Sequence, residues 1–114
     1  MLIFPLKKQW YEKIKSGEKT IEYREVKPYW TRRLFNARQK HDTENNFSAY
    51  KINELTDIVF EIPMPCYLQL GYKPETRLQA KITKIEDING KDTDLAIDKP
   101  VYAIHLADVK ECGE

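Results

Sequence analysis

Three ionisable side chains lie close together early in the chain, within the stretch SGEKTIEYR. Lys19, Glu22 and Arg24 occupy a window of six residues that follows a glycine. Arginine offers a planar fork of hydrogen-bond donors to a phosphate or a base carbonyl, lysine offers a mobile positive charge, and glutamate accepts from a base amino group. This combination is chemically suited to a site that binds a nucleotide.

The same three residues can instead pair with one another. They would then form a structural ion network, in which each exposed pair is worth only ~0–1 kcal/mol. The residue types alone favour this second interpretation. The choice therefore depends on which elements position the side chains and on what lies beside them.

A short helix is expected to precede the charged stretch. Leu6, Trp10 and Ile14 recur at four-residue intervals, which places them on one buried side of a helix. Gly17 follows, and glycine readily adopts the left-handed conformation that ends many helices. Residues 2–6, which come before this helix, read as a short apolar strand.

The charged stretch itself alternates in polarity, which predicts a β-strand over residues 20–24. Thr20, Glu22 and Arg24 share one face of that strand because successive side chains point to opposite sides. Lys19 stands at its entrance, where a long side chain reaches the same space. We therefore expect a polar wall beside the first helix.

A second helix is predicted to begin at Pro28, a residue that suits the first helical turn. Trp30, Leu34 and Ala37 would form its buried stripe. The sequence then becomes polar over residues 39–53, which predicts a long loop or an irregular insertion.

The remainder of the sequence is rich in strand signals. Alternating residues predict strands over 57–62, 77–88 and 101–109. The prolines of segment 63–65 are expected to end the first of these strands. A change of parity predicts a bulge near 83–84 in the second, and the third, apolar on both faces, is expected deep in the sheet.

These elements predict a small α+β protein whose curved or closed sheet has five or six strands and two early helices. The chain of 114 residues suits one domain over residues 1–114, and 41% hydrophobic and 32% charged residues are typical of a globular protein. The apolar run at 2–6 is too short for a signal-peptide core, so we expect a cytoplasmic protein.

Cysteine and histidine are too scattered to predict a metal site. Cys66, Cys112, His41 and His105 form no CxxC or HxxxH pattern, whereas metal ligands cluster. We expect no metal and no cofactor, and we expect His105 to be a core histidine.

Positive charge is concentrated in the first part of the sequence. Residues 1–40 hold eleven Lys or Arg and four Asp or Glu, a net +7, whereas residues 41–114 hold eight and fourteen, a net −6. A basic surface region is the footprint of a polyanion binder. Folding can also interleave the two halves and cancel this field.

Further ligand contacts are expected from aromatic and basic residues outside the charged stretch. Tyr29 and Tyr72 are candidates for stacking on bases, an interaction worth ~1–3 kcal/mol per base. Lys7, Arg32 and Arg33 are candidates for phosphate contacts. A solvated helix face explains the two arginines equally well.

The stretch PLKKQWYEKIKSGEKTIEYR resembles the signature of the ASCH domain family. That signature consists of a strand, a helix that ends in Ser-Gly, and G-x-K-x-x-E-x-R on the next strand, here Gly17, Lys19, Glu22 and Arg24. The resemblance is sharp over the first third and rests on layout alone beyond it. It implies a PUA-like β-barrel with a polar cleft that holds RNA or a nucleoside.

One bacterial branch of the family hydrolyses N4-acetylcytidine, and the resemblance implies this amidohydrolase activity as the alternative function. That branch uses a lysine and a threonine of the motif and a later glutamate. Lys19 matches the lysine, but Glu22 stands where the threonine is expected, and Thr20 is the nearest hydroxyl. Glu61 and Glu75 are both candidates for the later glutamate. Lys19 and Glu22 would be the catalytic residues of such an enzyme.

Two further functions stay open from the sequence. Some family members are suggested to be ribonucleases, which makes metal-independent RNA cleavage a third hypothesis. A domain that binds proteins through the barrel surface is the fourth.

Overall fold

Two helices and two short strands alternate in the first part of the chain, and three long strands follow. The computed structural model describes residues 2–45 and 58–112. Among these residues, neither helix is both long and apolar enough to cross a bilayer. In order, the elements are β1 (Leu2–Leu6), α1 (Lys8–Ser16), β2 (Ile21–Glu25), α2 (Pro28–Glu44), β3 (Ile58–Leu70), β4 (Arg77–Asn89) and β5 (Pro100–Glu111).

All five strands form one sheet in the order β1-β3-β4-β5-β2. β1 runs parallel to β3, and the other neighbouring pairs are antiparallel. The sheet curls into a half-barrel, so that its edge strands approach each other. Arg24 on β2 donates through Nη2 to the carbonyl oxygen of Pro5 on β1 over 2.7 Å. The predicted α+β fold with two early helices and a curved sheet is confirmed, with five strands.

The inside of the half-barrel holds the hydrophobic core. Its most deeply buried strand residues include Phe4, Leu68, Leu78, Ile82 and Ile104. The helices add Tyr11, Ile14 and Leu34 to the same cluster. Burying a large apolar side chain stabilises a fold by roughly 1.5–3 kcal/mol, so this packing anchors both helices to the sheet.

The local predictions around α1 and β4 are confirmed. α1 ends at Gly17, whose φ of 87° is left-handed and whose N–H donates to the carbonyl oxygen of Ile14. The pairing of β4 with β5 shifts between Ile82 and Lys84, where the sequence predicts a bulge. β5 lies between β4 and β2, as its apolar composition predicts.

The loop predicted from residue 39 is wrong for its first part, because α2 continues to Glu44. Three polar side chains near this end of α2, those of Arg38, His41 and Asp42, are buried and bonded. Arg38 Nε donates to the Asp42 carboxylate over 3.2 Å, and His41 Nε2 lies 2.7 Å from the carbonyl oxygen of Ile62. Inward-facing polar groups conceal the buried side of the helix from a hydrophobicity pattern. Residues 46–53 of the predicted loop lie outside the described residues.

The strand break predicted at residues 63–65 is also wrong, because β3 continues through both prolines to Leu70. β1 pairs with β3 only from Cys66 onwards. Among the described residues, β1 therefore does not pair with β3 at Pro63 or Pro65, and proline is tolerated where one side of a strand is unpaired. The pairing of β3 with β4 shifts register between Val59 and Met64, and Pro63 falls within this shift.

Gly90 is packed tightly at the start of the loop that connects β4 to β5. A Cβ atom at this position would lie 2.6 Å from Cγ1 of Val101 and 2.9 Å from the carbonyl oxygen of Ile97. The backbone of this loop is therefore held against β5 without room for a side chain.

We predict that Gly90→Ala lowers the free energy of unfolding by about 3 kcal/mol, because the methyl group overpacks this contact. Urea unfolding measures the change. Gly71→Ala is the control, since its Cβ meets nothing within 4 Å and only the left-handed backbone penalises it, by about 1 kcal/mol. A smaller cost at Gly90 than at Gly71 would contradict the prediction.

Candidate functional site

A buried ion pair between Glu22 and Arg24 lies at the gap between the edges of the sheet. Glu22 is only 6% exposed. It lies on the inner face of the sheet, where it pairs in register with the buried Ile104 of β5. Its Oε2 accepts from Arg24 Nη2 over 2.9 Å, and its Oε1 accepts from the backbone N–H of Tyr23 over 3.0 Å. The Arg24 bond to Pro5 extends this network to β1.

Aromatic rings hold the Arg24 guanidinium in place. Its central carbon lies 4.8 Å from the Trp30 ring centroid and 5.5 Å from that of Phe4. These two rings stack on each other at 5.3 Å. Arginine over aromatic faces is a favourable cation–π arrangement, so Arg24 is oriented by packing as well as by charge.

Lys19 connects this buried pair to the surface. Its ammonium group donates to the carboxylate of Asp94 and lies 3.7 Å from Glu22 Oε1. The same ammonium lies 5.4 Å from the Trp10 ring centroid and 4.8 Å from that of Tyr23. Its side chain is only 8% exposed, so two carboxylates and two rings fix its position.

An open pocket of about 320 Å³ adjoins Lys19, within the range of roughly 300–1,000 Å³ typical of small-molecule sites. We call it the Lys19 pocket. Its walls offer two aromatic rings, two ammonium groups, two carboxylates and two hydroxyls. It is lined by Trp10, Lys13, Glu18, Lys19, Thr20, Ile21, Tyr23 and Asp94.

Tyr23, which lines the pocket, and Glu86 lie on the outer face of the sheet, each paired in register with Ala103 of β5. Burial, with the nearby carboxylates of Asp94 and Glu86, raises the pKa of the Tyr23 phenol above its usual value. The hydrogen bond with His105, whose Nε2 lies 2.6 Å from Oε1, holds the pKa of the Glu86 carboxyl below its usual value. The phenol therefore stays a neutral donor, while Glu86 stays an anion at neutral pH.

The prediction that His105 belongs to the core is wrong. Its side chain is 30% exposed and bonded to Glu86. His105 pairs in register with Ile21 of β2, on the outer face of the sheet. Apolar neighbours at 103 and 107 make this face look internal in the sequence, although the interior lies on the side of Ile104 and Leu106.

The structure brings together only part of the predicted site. Lys19 and Thr20 line the Lys19 pocket, whereas Glu22 and Arg24 are not among its lining residues. Their interaction with each other is the network that the sequence offered as the alternative. Of the three charged motif residues, only Lys19 lines the pocket. The expected convergence of all three on one open pocket is therefore not observed.

The other predicted ligand residues lie elsewhere on the surface. Tyr29 is 60% exposed, and the Arg33 guanidinium lies 5.4 Å from its ring centroid. Arg32 and Lys7 are exposed, and Tyr72 is 88% exposed in the turn between β3 and β4. None of these five residues lines the Lys19 pocket, and their ligand contacts stay predictions.

Six pocket residues were absent from the predicted site: Trp10, Lys13, Glu18, Ile21, Tyr23 and Asp94. The spacing of Trp10 indicated only a buried helix position, yet its ring faces the pocket beside Lys13. Tyr23 belongs to the alternate face of β2. Asp94 is 75 residues from Lys19 in the sequence, and no local pattern signals such a contact.

The basic region predicted from residues 1–40 is partly neutralised. Lys15 pairs with Glu111 at 2.9 Å, and Arg38 pairs with Asp42. Lys19 likewise pairs with Asp94. Carboxylates from the later part of the chain therefore reduce the field that the sequence count indicates.

Comparison with protein-family models, with curated proteins and with solved structures finds no match to this chain.

We predict that Arg24→Met lowers the free energy of unfolding by about 3 kcal/mol, because it leaves the Glu22 carboxylate buried without its main partner. The double variant Glu22→Gln/Arg24→Met should recover more than half of this loss, since the buried charge is then gone. Urea unfolding of the three proteins measures both changes. A loss below about 1 kcal/mol for the single variant, or no recovery in the double variant, would show that this pair does not stabilise the fold.

Proposed function

We propose that this protein is an ASCH-type, PUA-like module that binds a nucleotide of single-stranded RNA or a modified nucleoside in the Lys19 pocket. One observation carries the proposal. The Lys19 ammonium is fixed between two carboxylates and two aromatic rings at the wall of an open pocket. A preorganised donor beside stacking surfaces is the arrangement that recognises an unstacked base.

The pocket supplies each contact that such a ligand requires. The rings of Trp10 and Tyr23 offer stacking surfaces, and Lys19 offers a donor to a base carbonyl. Glu18 and Asp94 accept from amino or hydroxyl groups, as carboxylates do with cytosine. Lys13, on the pocket wall, would meet one phosphate.

The balance of charge in the pocket favours recognition of the base and sugar over recognition of many phosphates. Lys13 and Lys19 are matched by Glu18 and Asp94 among the lining residues. A tight polyanion site carries an excess of cations instead. In this proposal the Glu22 carboxylate orients the Lys19 ammonium from the interior side, and its ion pair with Arg24 fixes the Glu22 carboxylate.

We predict that cytidine, N4-acetylcytidine or cytidine monophosphate binds the wild-type protein in isothermal titration calorimetry. Lys19→Met should weaken this binding about 10- to 100-fold, because a hydrogen bond to a charged group is lost. Lys8→Met is the matched control, since Lys8 is an exposed lysine of α1 outside the pocket. Circular dichroism verifies that both variants are folded.

Absence of binding for these ligands and for a short single-stranded RNA at low salt would overturn the proposal. Equal affinities of the Lys19→Met and wild-type proteins would also overturn it.

A second candidate function, hydrolysis of N4-acetylcytidine, is favoured by one specific observation. Lys19, Thr20 and Asp94 line the same pocket, so a hydroxyl and a carboxylate accompany the motif lysine even though Glu22 replaces the expected threonine. Glu61 and Glu75 are not among the lining residues. In this candidate Asp94 takes the place of the later glutamate. Water would add to the acetyl carbonyl, and the products would be cytidine and acetate.

We predict for this second candidate that purified protein releases acetate and cytidine in equal amounts from N4-acetylcytidine. Thr20→Val and Asp94→Asn should each lower the rate by about 100-fold or more, the contribution typical of a positioned acid or base. Chromatography of the nucleosides measures the rate, with Lys8→Met again as the control. Binding without turnover in the wild-type protein would eliminate the hydrolase and leave the binding module.

A further inference from the structure

The outer face of β3, β4 and β5 carries a second group of cationic and aromatic side chains. We call it the Tyr67 patch; it comprises Tyr67, Arg77, Gln79, Lys81 and Lys110. The strand register places Tyr67, Gln79 and Lys110 side by side across three strands, with Lys81 two residues further along β4 on the same face. The patch shares no lining residue with the Lys19 pocket.

Arg77 is held in one orientation within this patch. Its Nε donates over 2.8 Å to Oε1 of Gln69, which is itself only 7% exposed and donates to the carbonyl oxygen of Gly71. The guanidinium carbon lies 5.2 Å from the Tyr67 ring centroid. Within the described residues, no carboxylate pairs with Arg77. The Nε bond and the ring contact thus orient the guanidinium, so little ordering is lost when an anion binds its two terminal amino groups.

A hollow of about 280 Å³ is lined by Tyr67, whose ring Arg77 contacts, although Arg77 itself does not line it. Lys81 and Lys110 line it, and Asp108 is the acidic residue among its described lining residues, 3.9 Å from Lys81. The pairing of β4 with β5 shifts between Gln79 and Lys81, and this irregularity separates the strands' side chains there. With Arg77, the patch therefore has three cations, and Asp108 is the carboxylate that lines the hollow beside them.

We propose that the Tyr67 patch binds the phosphodiester backbone of a single-stranded RNA. Arg77 would take one phosphate through its paired amino groups, and Lys81 and Lys110 would meet the next phosphates along the strand. The exposed part of the Tyr67–Arg77 stack offers a surface for one base, and Gln79 offers an amide for its edge. Charge complementarity and the aromatic surface together favour this occupant over an acidic peptide, which has no ring to stack.

This inference goes beyond the proposed function, which concerns one nucleotide in one pocket. A second, cationic site means that the ligand is a strand, and that most of the salt dependence of binding resides in the Tyr67 patch. The two sites then divide the work between recognition of a base and attachment of a backbone.

Fluorescence anisotropy of a short labelled oligoribonucleotide over a series of salt concentrations tests this inference. Lys81→Glu/Lys110→Glu should weaken binding at low salt by about tenfold or more and reduce the slope of log K against log salt by about 1.4, the value for two phosphate contacts on a single strand. Lys8→Glu/Lys91→Glu is the matched control with the same change of net charge on exposed lysines outside the patch. Arg77→Gln is a second variant that removes the charge without reversing it, and it should weaken binding in the same direction.

Each outcome decides the question. Loss in the patch variants with retention in the control supports the inference, even if Lys19→Met binds the oligoribonucleotide as tightly as the wild-type protein, in which case the proposed function alone fails. Absence of oligoribonucleotide binding, equal effects of patch and control variants, or equally tight binding of a poly-glutamate peptide through the same lysines would overturn it.

Discussion

A single arginine joins the two edges of the curled sheet. Arg24 lies on β2, donates to Glu22 on its own strand and to Pro5 on β1, and packs against two aromatic rings. A half-barrel has an open seam, and unpaired strand edges tend to recruit other strands. Here a charged side chain occupies that seam. Burial of the Glu22 carboxylate would cost free energy without this partner. The ion pair and the close approach of the two sheet edges therefore depend on each other.

Strand geometry gives the charged residues of the motif different roles. Side chains two residues apart share a face, and on β2 that face is the interior of the half-barrel. Glu22 and Arg24 therefore serve the fold, while Lys19, just before the strand, bonds Asp94 and lines the pocket although its side chain is only 8% exposed. A motif that looks uniformly polar in the sequence thus has a structural part and a part that lines a pocket. Tyr23, on the opposite face, becomes part of the pocket wall.

Local periodicity was sufficient to predict α1, β2, the bulge in β4 and the α+β class, because each depends on spacing over a few residues. The errors arose where strand pairing or a hydrogen-bond partner comes from a distant part of the chain. Pro63 and Pro65 continue a strand because β1 pairs only beyond them, and the polar end of α2 is buried because His41 finds a carbonyl on β3. The sequence predicted Lys19 as a residue of the candidate site. It did not predict Trp10 or Asp94, because only the tertiary fold brings them to the site.

The most direct test of the central claim follows the two tryptophan indole N–H resonances by NMR during titration with cytidine monophosphate. Trp10 lines the Lys19 pocket, whereas Trp30 stacks on Phe4 beside Arg24 at the seam. The account predicts a saturable shift of the Trp10 resonance and a stationary Trp30 resonance. A stationary Trp10 resonance, or a shift confined to Trp30, would contradict it.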